Sequence, residues 1–165
     1  SVSMMHLDAI PLVAYKPFVK GLFTENGKYI TDELVEEVYD FFEGHTWYVQ
    51  LAMNELYILT AKEETCDKPM LKTALDNIIA MQDFTYQEIF SRLPDKQKEV
   101  IVAIAKEKKA EGVTSARFIK QYRLSSSSSV QSGLKGLMEK DMVTQEQGVY
   151  QVYDKLLGVW LRRNY

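Results

Sequence analysis

The sequence predicts a mainly α-helical protein that carries a small β-hairpin near its carboxyl end. Apolar residues recur at helical spacing through most of the chain, whereas strand-like alternation is confined to short runs. The clearest change of period follows residue 140, where a helical pattern gives way to two β-type runs around Glu146, Gln147 and Gly148. A helix that leads directly into a hairpin is the second half of a winged helix-turn-helix, and this fold is predicted for residues 94–165.

The helix before the hairpin begins in an unbroken run of serines, Ser125 to Ser129. A serine run is also typical of flexible linkers, but an amphipathic segment follows at once, so helix capping is the favoured interpretation. The apolar positions fall at i, i+4, i+7 and i+8, which draws one buried stripe along the helix. They are Val130, Leu134, Leu137 and Met138.

Further helices and a short extended link complete the predicted winged helix. Pro94 begins the first helix, and Ser115 caps the second. Residues 112–114 form the extended link between them, and a last helix follows the hairpin. The predicted order is therefore helix, short strand, helix, turn, helix, hairpin, helix.

Residues 1–92 are predicted to form an all-helical bundle subdomain. Thr31 is a good N-cap for a helix that Gly44 ends, and Pro69 opens a later helix at its favoured first position. A separate short helix or helical bridge is predicted over residues 84–93. The connections are short, which favours antiparallel neighbours.

The charge of the chain changes sign near Pro94. The whole sequence has a net charge of −3, but residues 1–93 hold 7 Lys and Arg against 15 Asp and Glu. Residues 94–165 hold 13 Lys and Arg against 8 Asp and Glu. This change supports a domain boundary and identifies the second half as the part able to approach a polyanion.

The composition excludes several classes of protein. The single Cys66 rules out an intrachain disulfide and a cysteine-rich zinc site. No apolar run approaches the roughly 20 residues that a membrane span needs, and no signal peptide is recognisable, so we expect a cytoplasmic location without membrane contact. Because position 1 is not methionine, we expect a piece of a longer protein, with residues 4–10 as a strand entering from an upstream domain.

The outward face of the serine-capped helix is the first candidate site. With Val130 at the centre of the buried stripe, the opposite side holds Ser125, Ser128, Ser132, Lys135 and Gly136. The preceding helix and turn add Lys120 and Arg123. This face would enter the major groove if the module reads DNA. Because it carries a single cation, a winged helix that contacts only proteins remains open as an alternative.

The turn Gly44-His45-Thr46 is the second candidate site. A histidine at a helix N-terminus is able to donate to an anion such as a nucleotide phosphate. A local turn in which Thr46 caps the next helix is the favoured interpretation. No metal site is predicted, since His6 has no Cys, Asp or Glu partner at metal-ligand spacing. No GxxxxGK[ST] loop or catalytic grouping occurs, so we expect the chain itself to be non-catalytic and to hold no cofactor.

Short motifs spread along nearly the whole chain carry a family resemblance. They are residues 7–12 leading to Phe18, residues 42–50 (FEGHTWYVQ), the helix start at residues 127–131, the wing at residues 148–150, and Asp154 with the closing Leu157 and Trp160 to Arg163. With these motifs the chain resembles the C-terminal part of prokaryotic P-loop ATPases of the AAA+/STAND type, the archaeal-ATPase-like group. The resemblance implies a helical lid (residues 1–92) followed by a winged helix (residues 94–165), with the nucleotide-binding domain upstream. It also implies that Gly44, His45 and Thr46 lie near bound nucleotide, although relatives often carry proline where Thr46 stands.

The expected function is therefore that of a non-catalytic regulatory and binding region. The lid would move with ATP occupancy and reposition the winged helix, which contacts DNA or a protein partner. ATP and Mg²⁺ would be bound by the upstream P-loop ATPase domain of the same polypeptide. The alternative, from another class, is a stand-alone winged-helix DNA-binding transcription regulator whose first half serves dimerisation or effector binding.

Overall fold

The computed structural model describes residues 9–165, and the strand predicted over residues 4–10 falls largely outside them. The protein is mainly helical, as predicted, and divides into two compact units. Unit 1 is Ser1–Ala80 and unit 2 is Met81–Tyr165. Each unit has its own apolar core and is described separately.

Over its described residues, 9–80, unit 1 contains three complete helices and two very short strands. Its elements are α1 (Leu12–Glu25), β1 (Tyr29–Ile30), α2 (Asp32–Phe41), α3 (Thr46–Leu59), β2 (Thr65–Cys66) and the first part of α4 (Lys68–Ser91). The two strands pair in parallel, with Tyr29 opposite Thr65 and Ile30 opposite Cys66. The prediction of an all-helical first half missed this pairing, because two residues are too few to show strand alternation.

Helix α2 has a distinct signal at each end. The Thr31 hydroxyl accepts a hydrogen bond from the backbone N–H of Leu34 at 3.2 Å, which confirms the predicted cap. At the other end, Glu43 has a left-handed φ of 52° and the N–H of Gly44 donates to the carbonyl of Tyr39 at 2.8 Å. This is a Schellman motif in which Glu43, and not Gly44, occupies the position directly after the C-cap.

Helix α4 runs unbroken from Lys68 to Ser91, so residues 84–91 continue it, as the alternative of a helical bridge predicts, and the alternative of a further short helix is wrong. Neither glycine nor proline interrupts residues 70–91, which leaves nothing to end the helix there. The last turns of α4 belong to unit 2. The indole N–H of Trp160 donates to Asp83 Oδ1 at 2.7 Å, and the Tyr86 hydroxyl donates to Asp154 Oδ2 at 2.9 Å. The boundary predicted at Pro94 assigns these α4 residues to the first subdomain.

Unit 2 follows the predicted order of helices and hairpin. Its further elements are α5 (Asp95–Glu107), α6 (Ala116–Gln121), α7 (Ser127–Glu139), β3 (Val143–Glu146), β4 (Val149–Val152) and α8 (Lys155–Asn164). Strands β3 and β4 are antiparallel and are joined by the two residues Gln147 and Gly148. Both have positive φ, 49° and 79°, as a type I′ hairpin turn requires.

Close packing of α5 against α7 forms the centre of unit 2. A Cβ atom at Gly133 of α7 would lie only 2.9 Å from the Lys96 carbonyl oxygen of α5, so this helix approach requires glycine. The side chains of Ile101, Ile104 and Leu137 are completely buried. Burial of this apolar surface is the main force that holds the helices together.

The short strand predicted at residues 112–114 does not form, and a single β-bridge at Ala110 takes its place. Ala110 and Tyr150 of β4 exchange two backbone hydrogen bonds, at 2.9 and 2.8 Å. A single bridging residue leaves no alternation in the sequence, which explains why the prediction misplaced it. Near the chain end, Arg162 donates to the Ala105 carbonyl at 2.9 Å, and its burial lowers the pKa of its guanidinium group.

Candidate functional site

The start of α7 is fixed by one serine of the run. The Ser126 hydroxyl accepts a hydrogen bond from the backbone N–H of Ser129 at 3.1 Å, which confirms that the serine run caps the helix. The preceding turn is a second Schellman motif, in which Arg123 has a φ of 53° and the N–H of Leu124 donates to the Ile119 carbonyl at 2.9 Å. The turn therefore sets the direction in which α7 leaves α6.

The predicted DNA or partner residues are all exposed in the structure. They are Lys120, Arg123, Ser125, Ser128, Ser132 and Lys135. Val130, Leu134 and Leu137 on the other side of α7 are buried, as the apolar spacing predicts, but Met138 of the same predicted stripe is 37% exposed, because it lies at the edge of the stripe. Gly136 is an exception to the prediction, because a Cβ atom there would lie 2.1 Å from Gln97 Nε2 of α5. It faces the neighbouring helix and not the outward surface.

An open groove of about 470 Å³ runs between α7 and the hairpin. We call it the α7–wing groove. Its lining residues are Gln131, Leu134, Lys135, Met138, Glu139 and Tyr150. Gln131, Glu139 and Tyr150 are not among the residues that the sequence predicts for the site. On a helical wheel, Gln131 and Glu139 lie about 100° and 180° from Val130, so the periodicity of α7 indicates that both are away from the centre of the buried stripe. Tyr150 lines the groove from β4, so its place there depends on the tertiary fold and not on α7 itself.

Three cations on and near α7 have no carboxylate partner among the residues that the structure describes. Within residues 9–165, Lys120, Arg123 and Lys135 take part in no salt bridge. At the end of α6 the Tyr122 hydroxyl donates to Glu107 Oε1, and burial together with this bond raises the pKa of Tyr122 to about 12. This hydrogen bond links the end of α6 to the end of α5.

The second candidate site, Gly44-His45-Thr46, is a tight turn between α2 and α3. Gly44 has a φ of 72°, and a Cβ atom there would lie 2.7 Å from the Tyr39 hydroxyl. His45 occupies the N-cap position without a side-chain cap bond, and its ring lies 4.7 Å from the ring of Tyr48. Thr46 is the first residue of α3, so the prediction that it caps this helix is wrong. The nearness of these residues to a nucleotide stays a prediction.

The described part of the chain contains neither a metal-binding cluster nor a membrane-spanning helix. Between residues 9 and 165, no three His, Cys, Asp or Glu side chains are grouped so that they could hold a metal ion. Over the same residues, no helix has the length and apolar character needed to cross a bilayer.

Three packed helices, a bridging residue and a two-stranded wing define the architecture of a winged helix-turn-helix, with α6 and α7 as its helix pair. Comparison with protein families agrees, since residues 84–163 match the family model described as a probable winged helix domain. The second half of the chain therefore contains a winged helix domain. The comparisons with curated proteins and with solved structures return no match.

Proposed function

We propose that the winged helix domain binds duplex DNA, with α7 and its Lys135 in the major groove and with Lys120 and Arg123 at the phosphate backbone. The observation that carries this proposal is the outward surface of α7 and the turn before it, where exposed serines lie beside cations that form no salt bridge with any carboxylate of residues 9–165. Small side chains let a helix approach the floor of a groove, and unpaired cations are available to phosphates.

The charge of unit 2 supports an anionic partner. Residues 81–165 hold 14 Lys and Arg against 10 Asp and Glu. The wing is polar but adds little attraction for phosphate, because residues 143–152 contain no Lys or Arg and one acidic residue, Glu146. Binding is therefore expected to depend on α6, the turn and α7 more than on the wing.

Affinity for a duplex, measured against salt concentration, tests this proposal. The triple variant Lys120→Ala, Arg123→Ala, Lys135→Ala is expected to bind roughly 100-fold more weakly at low salt and to show a salt slope shallower by about 2 to 3. The matched control is Lys62→Ala, Lys68→Ala, Lys72→Ala in unit 1, which removes the same charge and should leave the slope unchanged. Equal affinity of the parent and the first variant would remove these residues as the DNA site.

The apolar floor of the α7–wing groove favours a second candidate function. Leu134, Met138 and Tyr150 line it, and Glu139 lies at its edge, an arrangement that suits a short apolar segment of a partner protein. Binding of such a segment would be nearly independent of salt and would be lost on Met138→Glu. A steep salt dependence with duplex DNA and no loss of peptide affinity on this change would exclude the protein partner.

A wider role as the output region of an AAA+/STAND-type ATPase is proposed from the sequence resemblance. In this role unit 1 serves as a lid, the upstream P-loop domain binds ATP and Mg²⁺, and Gly44, His45 and Thr46 lie near the nucleotide. Exposure of His45 at the start of α3 supports access of a ligand to this turn. The stand-alone transcription regulator is the competing role.

The coding sequence upstream of Ser1 distinguishes the two roles. A Walker loop there supports the ATPase, and a start codon at or just before Met4 supports the stand-alone regulator. In a protein that carries the loop, ATP should change the DNA affinity of the winged helix, and His45→Ala should weaken nucleotide binding. Unchanged DNA affinity with and without ATP would contradict coupling between nucleotide and winged helix.

A further inference from the structure

Two long polar side chains, Gln131 and Lys135, lie on the surface of α7 beside its serines. Both are exposed and line the α7–wing groove one helical turn apart. We infer that they read the DNA sequence, with Gln131 at an adenine and Lys135 at a guanine within one short stretch of the major groove. The inference rests on the proposed DNA-binding function.

The polar ends of both side chains are available to a partner. Within the described residues, neither Gln131 nor Lys135 forms a side-chain hydrogen bond or an ion pair. A Gln or Lys already bonded inside the protein would have to break that bond before it could contact a base. Free ends avoid this cost, because a contact with DNA replaces only water.

The neighbouring serines let these longer side chains reach the base edges. Ser128 and Ser132 are exposed on the adjoining part of the same surface and have one-carbon side chains. They hold nothing that would keep the α7 backbone away from the groove floor, so the helix is able to enter deeply. Gln131 and Lys135 are then the long polar side chains of the first three turns of α7 that face the bases.

The chemistry of the two side chains defines the bases that they select. A glutamine amide accepts from the adenine N6 amino group while it donates to N7, and a lysine ammonium donates to guanine O6 and N7. Residues four apart on a helix are separated by about 6 Å along its axis, close to two base-pair steps of about 3.4 Å. The preferred site therefore contains an adenine and a guanine within three consecutive base pairs.

Selection of randomised duplexes by the 165-residue chain at fixed salt tests the inference, followed by affinities for the selected site and its single base-pair variants. Replacing the selected adenine or guanine should weaken binding at least about fivefold. Gln131→Ala should remove only the adenine preference, and Gln131→Asn should keep it. Lys135→Ala should remove the guanine preference and leave the adenine preference in place.

Gln50→Ala, an exposed glutamine on α3 of unit 1, is the matched control and should leave every preference unchanged. Duplex binding with a salt slope but without any base preference would overturn the inference while leaving DNA binding intact. The inference also fails if Gln131→Ala and Lys135→Ala keep the parent's preferences, or if duplex RNA binds as tightly as DNA, since side chains cannot read its narrow major groove. Absence of binding to any duplex would overturn both this inference and the proposed function.

Discussion

Helices α2 and α7 begin with the same kind of cap and end with the same motif. Their outward faces differ in how their charged side chains are paired. Each begins at a hydroxyl cap, Thr31 or Ser126, and each ends in a Schellman motif at a left-handed non-glycine residue. The two left-handed residues are Glu43 with a φ of 52° and Asp141 with a φ of 56°. In both helices the inward face is an apolar stripe buried in its own unit.

The difference lies in where the charges of each outward face are satisfied. Three of the five carboxylates of α2 form salt bridges inside unit 1, Asp32 and Glu36 with lysines of α1 and Glu37 with Lys68. On α7, Lys135 is in no salt bridge within residues 9–165, and the serines beside it are exposed. Caps and buried stripes thus determine that a helix forms, while the outward groups of α7 are those that the proposed DNA contact would use.

The buried faces should be equally essential in the two helices. Leu137→Ala in α7 removes a completely buried side chain and is expected to lower the free energy of unfolding by about 3 kcal/mol. Val38→Ala in α2, equally buried but smaller, should cost about 2 kcal/mol. Chemical denaturation measures both losses. Met138→Ala, on the exposed side of α7, is the control, and a comparable loss there would contradict the assigned helix orientation.

The two caps should contribute similar stability. Ser126→Ala and Thr31→Ala each remove one hydroxyl that accepts a backbone N–H, and each should cost about 1 kcal/mol in the same measurement. Ser125→Ala removes a neighbouring exposed hydroxyl that caps nothing and should change stability by much less. If Ser125→Ala cost as much as Ser126→Ala, the cap would be at the wrong serine.

The left-handed ends offer a gain in stability in both helices. Glycine adopts a positive φ without steric cost, so Asp141→Gly and Glu43→Gly are each expected to raise the unfolding free energy by up to about 1 kcal/mol. Asp40→Gly, inside α2, should do the reverse, because glycine weakens a helix interior. Destabilisation by glycine at position 141 or 43 would show that the charged side chain itself stabilises the helix end.

The smallest expected effect is on DNA affinity, and it distinguishes the outward face of α7 from that of α2. Glu139 is exposed on the same side of α7 as Lys135, so Glu139→Gln should raise DNA affinity a few-fold by removing repulsion from phosphates. The matched change Glu33→Gln on α2 should have no effect on DNA. A similar gain from both changes would mean that net charge, and not the α7 surface, controls binding.

Local signals were sufficient to predict the winged helix. The cap at Ser115, the capping serine run, the stripe from Val130 to Leu137 and the turn at Gly148 all lie within a few residues of the structure that they specify. The features that were missed depend on distant partners. The Ala110 bridge exists because Tyr150 lies opposite it, and β1 exists because β2 does.

The same distinction applies to the candidate site. Exposure of Ser128, Ser132 and Lys135 follows from helix periodicity alone and was predicted. The groove was not predicted, because it forms only where Tyr150 of β4 lies near Met138 of α7. His45, and not Thr46, occupies the N-cap position of α3. Because His45 makes no side-chain cap bond, the sequence contains no capping signal for this helix start.

The continuity of α4 decides where the chain can be cut. Division at Pro94, the boundary that the sequence predicts, would remove Asp83, the hydrogen-bond acceptor for the Trp160 indole. It would also remove Phe90, whose ring lies 6.1 Å from Trp160 and 4.5 Å from Tyr165, and so expose apolar surface to water. We expect a winged helix expressed from residue 94 to aggregate and one expressed from residue 81 to stay in solution. In that case the last turns of α4 bury apolar surface that the domain cannot expose without aggregating.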